Sequence, residues 1–136
     1  MALELTLITE LEPPVSFTCA EATGIAKGSL LKIADPNTVS QSGGDNDAVI
    51  GVAAEEKIAS DGNTQIAVWL RGIFTGTAGL AGVTAGNGVI SDSNTGDDNE
   101  LVNADATSNN CLGIALETAT DLQTFKLLVS PHIGQP

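Results

Sequence analysis

Aromatic and basic residues are scarce in this chain: there is no tyrosine, one tryptophan and three phenylalanines, and five lysines and arginines stand against 17 aspartates and glutamates. The formal charge of −12 repels phosphate backbones and anionic lipid headgroups, which excludes nucleic acid and membrane surfaces as expected partners. The single histidine, His132, lies near the C-terminal end. Chemistry that needs a histidine base or a multi-histidine metal centre therefore has almost nothing to draw on, and the expectation is a protein without enzymatic activity, catalytic residues or cofactor. Two cysteines, Cys19 and Cys111, cannot build the dense disulfide framework of a small secreted domain, although one bridge between them stays open. No apolar run approaches the roughly 18 residues of a membrane span, and residues 1–16 have neither the basic start nor the apolar stretch of a secretory signal. Synthesis in the cytosol is expected.

What the chain does have is enough apolar residue for a core. Leu, Ile, Val and Phe make up 36 of 136 residues, which argues against intrinsic disorder despite the charge excess. A chain of this length defaults to one domain and buries roughly two-thirds of its unfolded surface. Helical periodicity is hard to find, whereas short alternating runs bounded by Gly, Asn, Asp and Ser recur throughout, so the fold class is all-β. The clearest strand spans 64–72, with Ile66, Val68 and Leu70 on one face and Ala67, Trp69 and Arg71 on the other. A second spans 124–130 and turns Phe125, Leu127 and Val129 inward.

Laid over each other, the two halves show a weak internal repeat. Ile25-Ala26-Lys27-Gly28, Val49-Ile50-Gly51-Val52-Ala53 and the strand from Ile66 are followed by Val83-Thr84-Ala85-Gly86, Cys111-Leu112-Gly113-Ile114-Ala115 and the strand from Phe125. Two copies of about 60 residues are too few and too long for a solenoid. The expected architecture is a small β-sandwich or barrel-like domain over residues 17–136, with half-repeats at about 17–72 and 83–130 joined by a glycine-rich connection at 72–82. Residues 35–47 and 91–110 read as exposed polar loops.

Residues 1–16 read as an extended N-terminal arm. Leu3, Leu5 and Leu7 alternate with Glu4 and Thr6, Ile8 and Leu11 follow, and Pro13-Pro14 then forces a stiff, non-helical link. An apolar arm held away from its own body needs a partner to cover it, and strand addition to a sheet edge suits the alternation. The competing reading is that the segment forms the first strand of its own sheet.

Other candidates are each matched by a plainer reading. Asp92, Asn94, Asp97 and Asp98 sit in an acidic loop whose oxygens suit a hard cation, but the spacing departs from the twelve-residue calcium loop, so a solvated loop is the favoured reading. Gly76, Gly79 and Gly82 lack the lysine and spacing of a phosphate cradle and read as turn glycines. Cys111 stands where the first repeat has Val49 and reads as a small core residue. Trp69 either covers a second apolar layer or, with Arg71, lies at a subunit contact.

Together, the apolar arm, the Ile25 to Gly28 lead-in, the apolar-Gly-apolar-Ala strand at Val49 to Ala53 and the Gly-terminated alternating strand at Gln65 to Gly72 resemble the small β-rich head decoration, or capsid cement, proteins of tailed bacteriophages. The resemblance covers about residues 15–130. It implies a structural virion protein on the outer capsid surface, binding the major capsid protein, often as a homotrimer, and stabilising the assembled head. That group often carries the repeated unit once, whereas this chain carries it twice. By position, the attachment role implied falls on Leu3, Leu5, Leu7, Ile8 and Leu11. The alternative is a calcium- or carbohydrate-binding β-module of a surface or secreted protein, with the acidic loop as its site.

Overall fold

The computed structural model describes residues 3–44, 46–92, 99–104 and 110–133, with His132 and Ile133 described by their backbone alone. Eleven strands form: β1 (Thr6–Glu10), β2 (Val15–Thr18), β3 (Leu30–Asp35), β4 (Thr38–Gln41), β5 (Val49–Ala53), β6 (Gln65–Trp69), β7 (Gly72–Ala78), β8 (Gly88–Asp92), β9 (Glu100–Asn103), β10 (Asn110–Ala115) and β11 (Thr124–Ile133). Among the described residues there is no helix, and the fold is all-β.

The repeat in the sequence is a repeat in topology. Strands β2 to β6 close a barrel, and β7 to β11 close another with the same connections. In each, the first strand pairs antiparallel with the fifth and touches the third in parallel, while the second pairs with both the third and the fourth and the fourth pairs with the fifth. Register also matches: Val15 opposes Val68 as Phe74 opposes Leu127, and the lone bridge Ile25 to Lys57 recurs as Val83 to Ala119.

Two pairs of glycines explain why the repeat is visible in the sequence. Gly28 and Gly86 both hold φ at 91°, a backbone conformation that a side chain disfavours. Gly51 and Gly113 lie against the carbonyls of Trp69 and Leu128, which a Cβ at either position would strike. Glu55 and Glu117 likewise do one job twice: each carboxylate accepts from a backbone N–H of the fifth strand, Ala67 at 2.8 Å and Lys126 at 3.0 Å.

Burial follows the alternation. Ile66, Val68, Phe125, Leu127 and Val129 are fully enclosed, as expected. Leu70 was expected beside them but lies past the end of β6 and is only half-buried. The glycine-rich run 72–82 is not merely a connection: its first part is β7, the counterpart of β2, and its small residues let neighbours close in, with a Cβ on Gly76 falling 3.2 Å from Leu101 and 3.3 Å from Leu127. Cys111 is half-buried rather than a core residue, whereas Cys19 is buried; both are free, so no bridge forms between them.

The N-terminal segment does not depart from the body. Thr6–Glu10 pairs antiparallel with β7, Glu10 opposing Gly72 and Thr6 opposing Thr75. Ahead of the strand, the Leu5 N–H donates to the Gly28 carbonyl at 2.8 Å, and the Leu5 side chain is buried. The repeat explains why β1 has one berth: the β2 counterparts of Gly72 and Ile73 are Pro13 and Pro14, neither of which has an N–H to offer a strand.

Two core clusters result. One lies inside the first barrel and includes Cys19, Ile25, Leu31, Val39, Ala53, Ile66 and Val68. The larger fills the second barrel but also takes in Leu30, Val52 and Trp69 from the outer face of the first, together with Leu5. Removing the ring of Phe125 should cost about 3–5 kcal/mol, read as a fall in the denaturant midpoint of Phe125→Ala. A change within measurement error would contradict the assignment. Gly51→Ala and Gly113→Ala should each destabilise as well, since in both the new methyl group drives into a strand carbonyl.

Candidate interaction surfaces

Four features carry more than ordinary chemistry: the outer side of β1, an apolar groove on the first barrel, the clasp between the barrels and the acidic end of β8 and β9.

β1 is the outermost strand of its sheet, which runs β1-β7-β11-β10-β8-β9. The register shifts between Leu7 and Thr9, so Ile8 is the extra residue of a bulge and stands 46 % exposed. Leu11, just beyond the strand, is equally exposed, whereas Leu3 and Leu7 are half-buried. Of the five apolar arm residues, then, Leu5 anchors the segment to its own chain and Ile8 and Leu11 face outward. Glu10 accepts a hydrogen bond from the Trp69 indole at 3.2 Å, and Lys27 lies 5.8 Å from the centre of the same indole. Trp69 is buried and meets Phe74 edge to face, 5.6 Å between ring centres, so of its two expected roles it covers a second apolar layer within the chain.

The groove, with a volume of about 440 Å³, is lined by Phe17, Ile33, Ile50 and Leu70, with Glu12, Arg71, Ser130 and Pro131 around it. Phe17, Ile50 and Leu70 pack on the core of the first barrel from the groove side, so this is where that barrel opens. Arg71 lies 3.8 Å from Glu12, an exposed pair of small energetic weight. Phe17, Ile33 and Ile50 were not singled out by reading the sequence. Their repeat counterparts Gly76, Ser91 and Leu112 are buried, which marks the first barrel as the copy left uncovered, a difference that the tertiary structure alone decides.

The clasp joins loop 42–47 to the second barrel. The Ser91 hydroxyl accepts from the Asp47 N–H and donates to the Gly44 carbonyl, both at 2.9 Å, and Asn110 donates twice to Asn46. Burial pushes the Asp47 carboxyl up, but hydrogen bonds from Ser42 and the Gly44 N–H, nearby Lys32 and the Gly43 N–H outweigh it and hold it below the usual carboxylate range. On the other side of the first barrel, buried Lys57 donates to the Glu21 and Ile58 carbonyls and to Asp61, each at 2.8 Å. That bond from Lys57, with one from the Asn63 N–H, draws Asp61 below its ordinary value. Burial pushes the Cys19 thiol up, which suits a core residue rather than a nucleophile.

At the acidic end, Asp92 and Glu100 oppose each other across β8 and β9 and converge over Gly79, whose missing side chain leaves them room. Asn94, Asp97 and Asp98, the other members of the cation candidate, lie outside the described residues. Among the described residues no group of three or more His, Cys, Asp or Glu side chains is placed to hold a metal ion.

Among the described residues, what this fold offers a partner is surface: an edge strand and an apolar groove on a duplicated barrel. Residues 10–130 match the phage cement protein family, and the chain belongs to it. It is thus a phage capsid structural protein. Among solved structures it is similar to the head fiber gp8.5 N base of bacteriophage phi29, with a TM-score of 0.54 at 22 % identity, covering 90 % of this chain and 99 % of that one. No curated protein matches it in sequence.

Because Asp47 titrates lower when folded than its unfolded value near 3.9, its stabilising effect is complete above that value and is lost as pH falls through the folded one. Thermal melts across that acid range should show Asp47→Asn with a shallower pH dependence than the parent. At neutral pH the same variant should lose about 1–3 kcal/mol, the scale of charge-assisted hydrogen bonds.

Proposed function

We propose that the protein decorates the outer surface of an assembled phage head, where it binds the major capsid protein as a homotrimer and holds neighbouring capsomers together. The observation that carries this reading is membership of the phage cement protein family over nearly the whole chain. The surface chemistry supports it. A chain with a charge of −12 is repelled by the packaged genome, and its docking features are apolar.

Attachment, in this reading, runs through the N-terminal segment. Leu5 and Leu7 fix β1 on β7, and the free edge of β1 then accepts an extended strand of the shell, with Ile8 and Leu11 entering apolar pockets beside it. Leu3 extends the same surface toward the chain start. Strand pairing supplies main-chain hydrogen bonds, and burying the exposed part of two such side chains, about half of each, adds about 1 kcal/mol each before ordering costs. Three copies acting together make a modest single contact durable.

Deleting the segment would expose β7 and the second barrel, so substitution is the cleaner test. Ile8→Asp with Leu11→Asp should fold and melt like the parent yet fail to bind undecorated capsids in a sedimentation assay. Binding as strong as that of the parent would reject the segment as the anchor.

A further inference from the structure

The first barrel covers the second with its outer face: Leu30, Val52 and Trp69 belong to the same buried cluster as Phe74, Leu101, Phe125 and Leu127, and Ala54 packs against it. The repeat places the equivalent face on the second barrel. There the counterparts of Val52, Ala54 and Trp69 are Ile114, Leu116 and Leu128, of which Ile114 is 43 % and Leu116 45 % exposed and Leu128 half-buried. The first barrel has the groove of Phe17, Ile33, Ile50 and Leu70, with Ser130 and Pro131 of β11 at its rim, and the counterparts of its four apolar residues in the covered barrel are all buried. The chain thus uses one contact internally and leaves both halves of a second one open: a barrel with no cover, and a covering face with no barrel.

We infer that these two surfaces meet between copies of this chain, the β10–β11 face of one protomer (Ile114, Leu116 and Leu128) seating on the groove of the next. The internal interface is the template, and the charges agree with it. Lys126 and Glu117 flank the face, while Glu12 and Arg71 flank the groove, so each surface brings one charge of each sign in a chain that otherwise repels itself. Strand pairing does not compete for the position, since Pro14 leaves the neighbouring edge of β2 without a donor there. Two different surfaces in contact make the association head-to-tail, which closes into a ring when the rotation permits. Arg71, expected at a subunit contact, then lies at one, whereas Trp69 serves the internal copy of the same contact. The inference does not depend on attachment to a shell and is tested without one.

Sedimentation equilibrium of the full chain should show a species heavier than the monomer that grows with concentration. Ile33→Asp, which spoils the groove, and Ile114→Asp, which spoils the face, should each sediment as monomers with unchanged melting curves. If either fails to fold, Ile33→Thr and Ile114→Thr keep the strands and weaken the same surfaces. Mixing a groove variant with a face variant leaves one intact contact and should give a two-chain species and nothing larger. A parent that stays monomeric at every concentration, variants that assemble like the parent, or a mixture that remains monomeric would each overturn the head-to-tail contact.

Discussion

The edge-to-face contact of Trp69 with Phe74, and the apolar seal around it, is the interaction on which the arrangement of the molecule depends. Phe74 sits at the start of the second barrel, where the first barrel has Val15, and its ring is fully buried because the outer face of the first barrel and Leu5 close over it. The shared cluster converts two small barrels, each with little core of its own, into one body with a continuous interior. Small domains bury too low a fraction of their surface to be robust alone, so the seal matters more here than it would between two large domains.

The seal also creates the asymmetry between two halves that share a topology. The covering barrel is itself uncovered, and it carries Val15, 45 % exposed, where the covered one carries Phe74. The side chains at its opening form a groove instead of an interior. β1 deepens the difference, since it occupies an edge of β7 while prolines stand at the equivalent positions before β2. One repeat thus became the structural support of the other, and the surfaces that remain open are the ones available for association.

Polar groups hold this arrangement in register without adding reactivity. Ser91 serves as donor and acceptor in the clasp, Asp47 gathers the N–H groups of its loop, and Lys57 ties two loops together with every proton used. A lysine whose three protons are all hydrogen-bonded within the chain presents no free donor, and a carboxylate held low by several donors is a poor base. The same bonds that make these groups good structural elements engage them within the chain, in keeping with a phage capsid structural protein.

Much of this was legible in the residues. Strands with strict alternation, such as Ile66 to Val68 and Phe125 to Val129, announce their faces locally, because the two-residue period is a property of the backbone. The duplication was visible through Gly28 and Gly86 and through Gly51 and Gly113, where sterics permit no other residue without strain, so both copies keep the mark. The order of motifs pointed to the family. Tertiary structure alone decided where the alternating leucines near the start would be buried, since alternation specifies that a face is covered and not by what. It decided that Trp69 faces inward between barrels, that Leu70 stands at an opening and that Cys111 is only half-buried. Those outcomes depend on which element arrives from far along the chain, and burial is a relation between distant segments that no local pattern encodes.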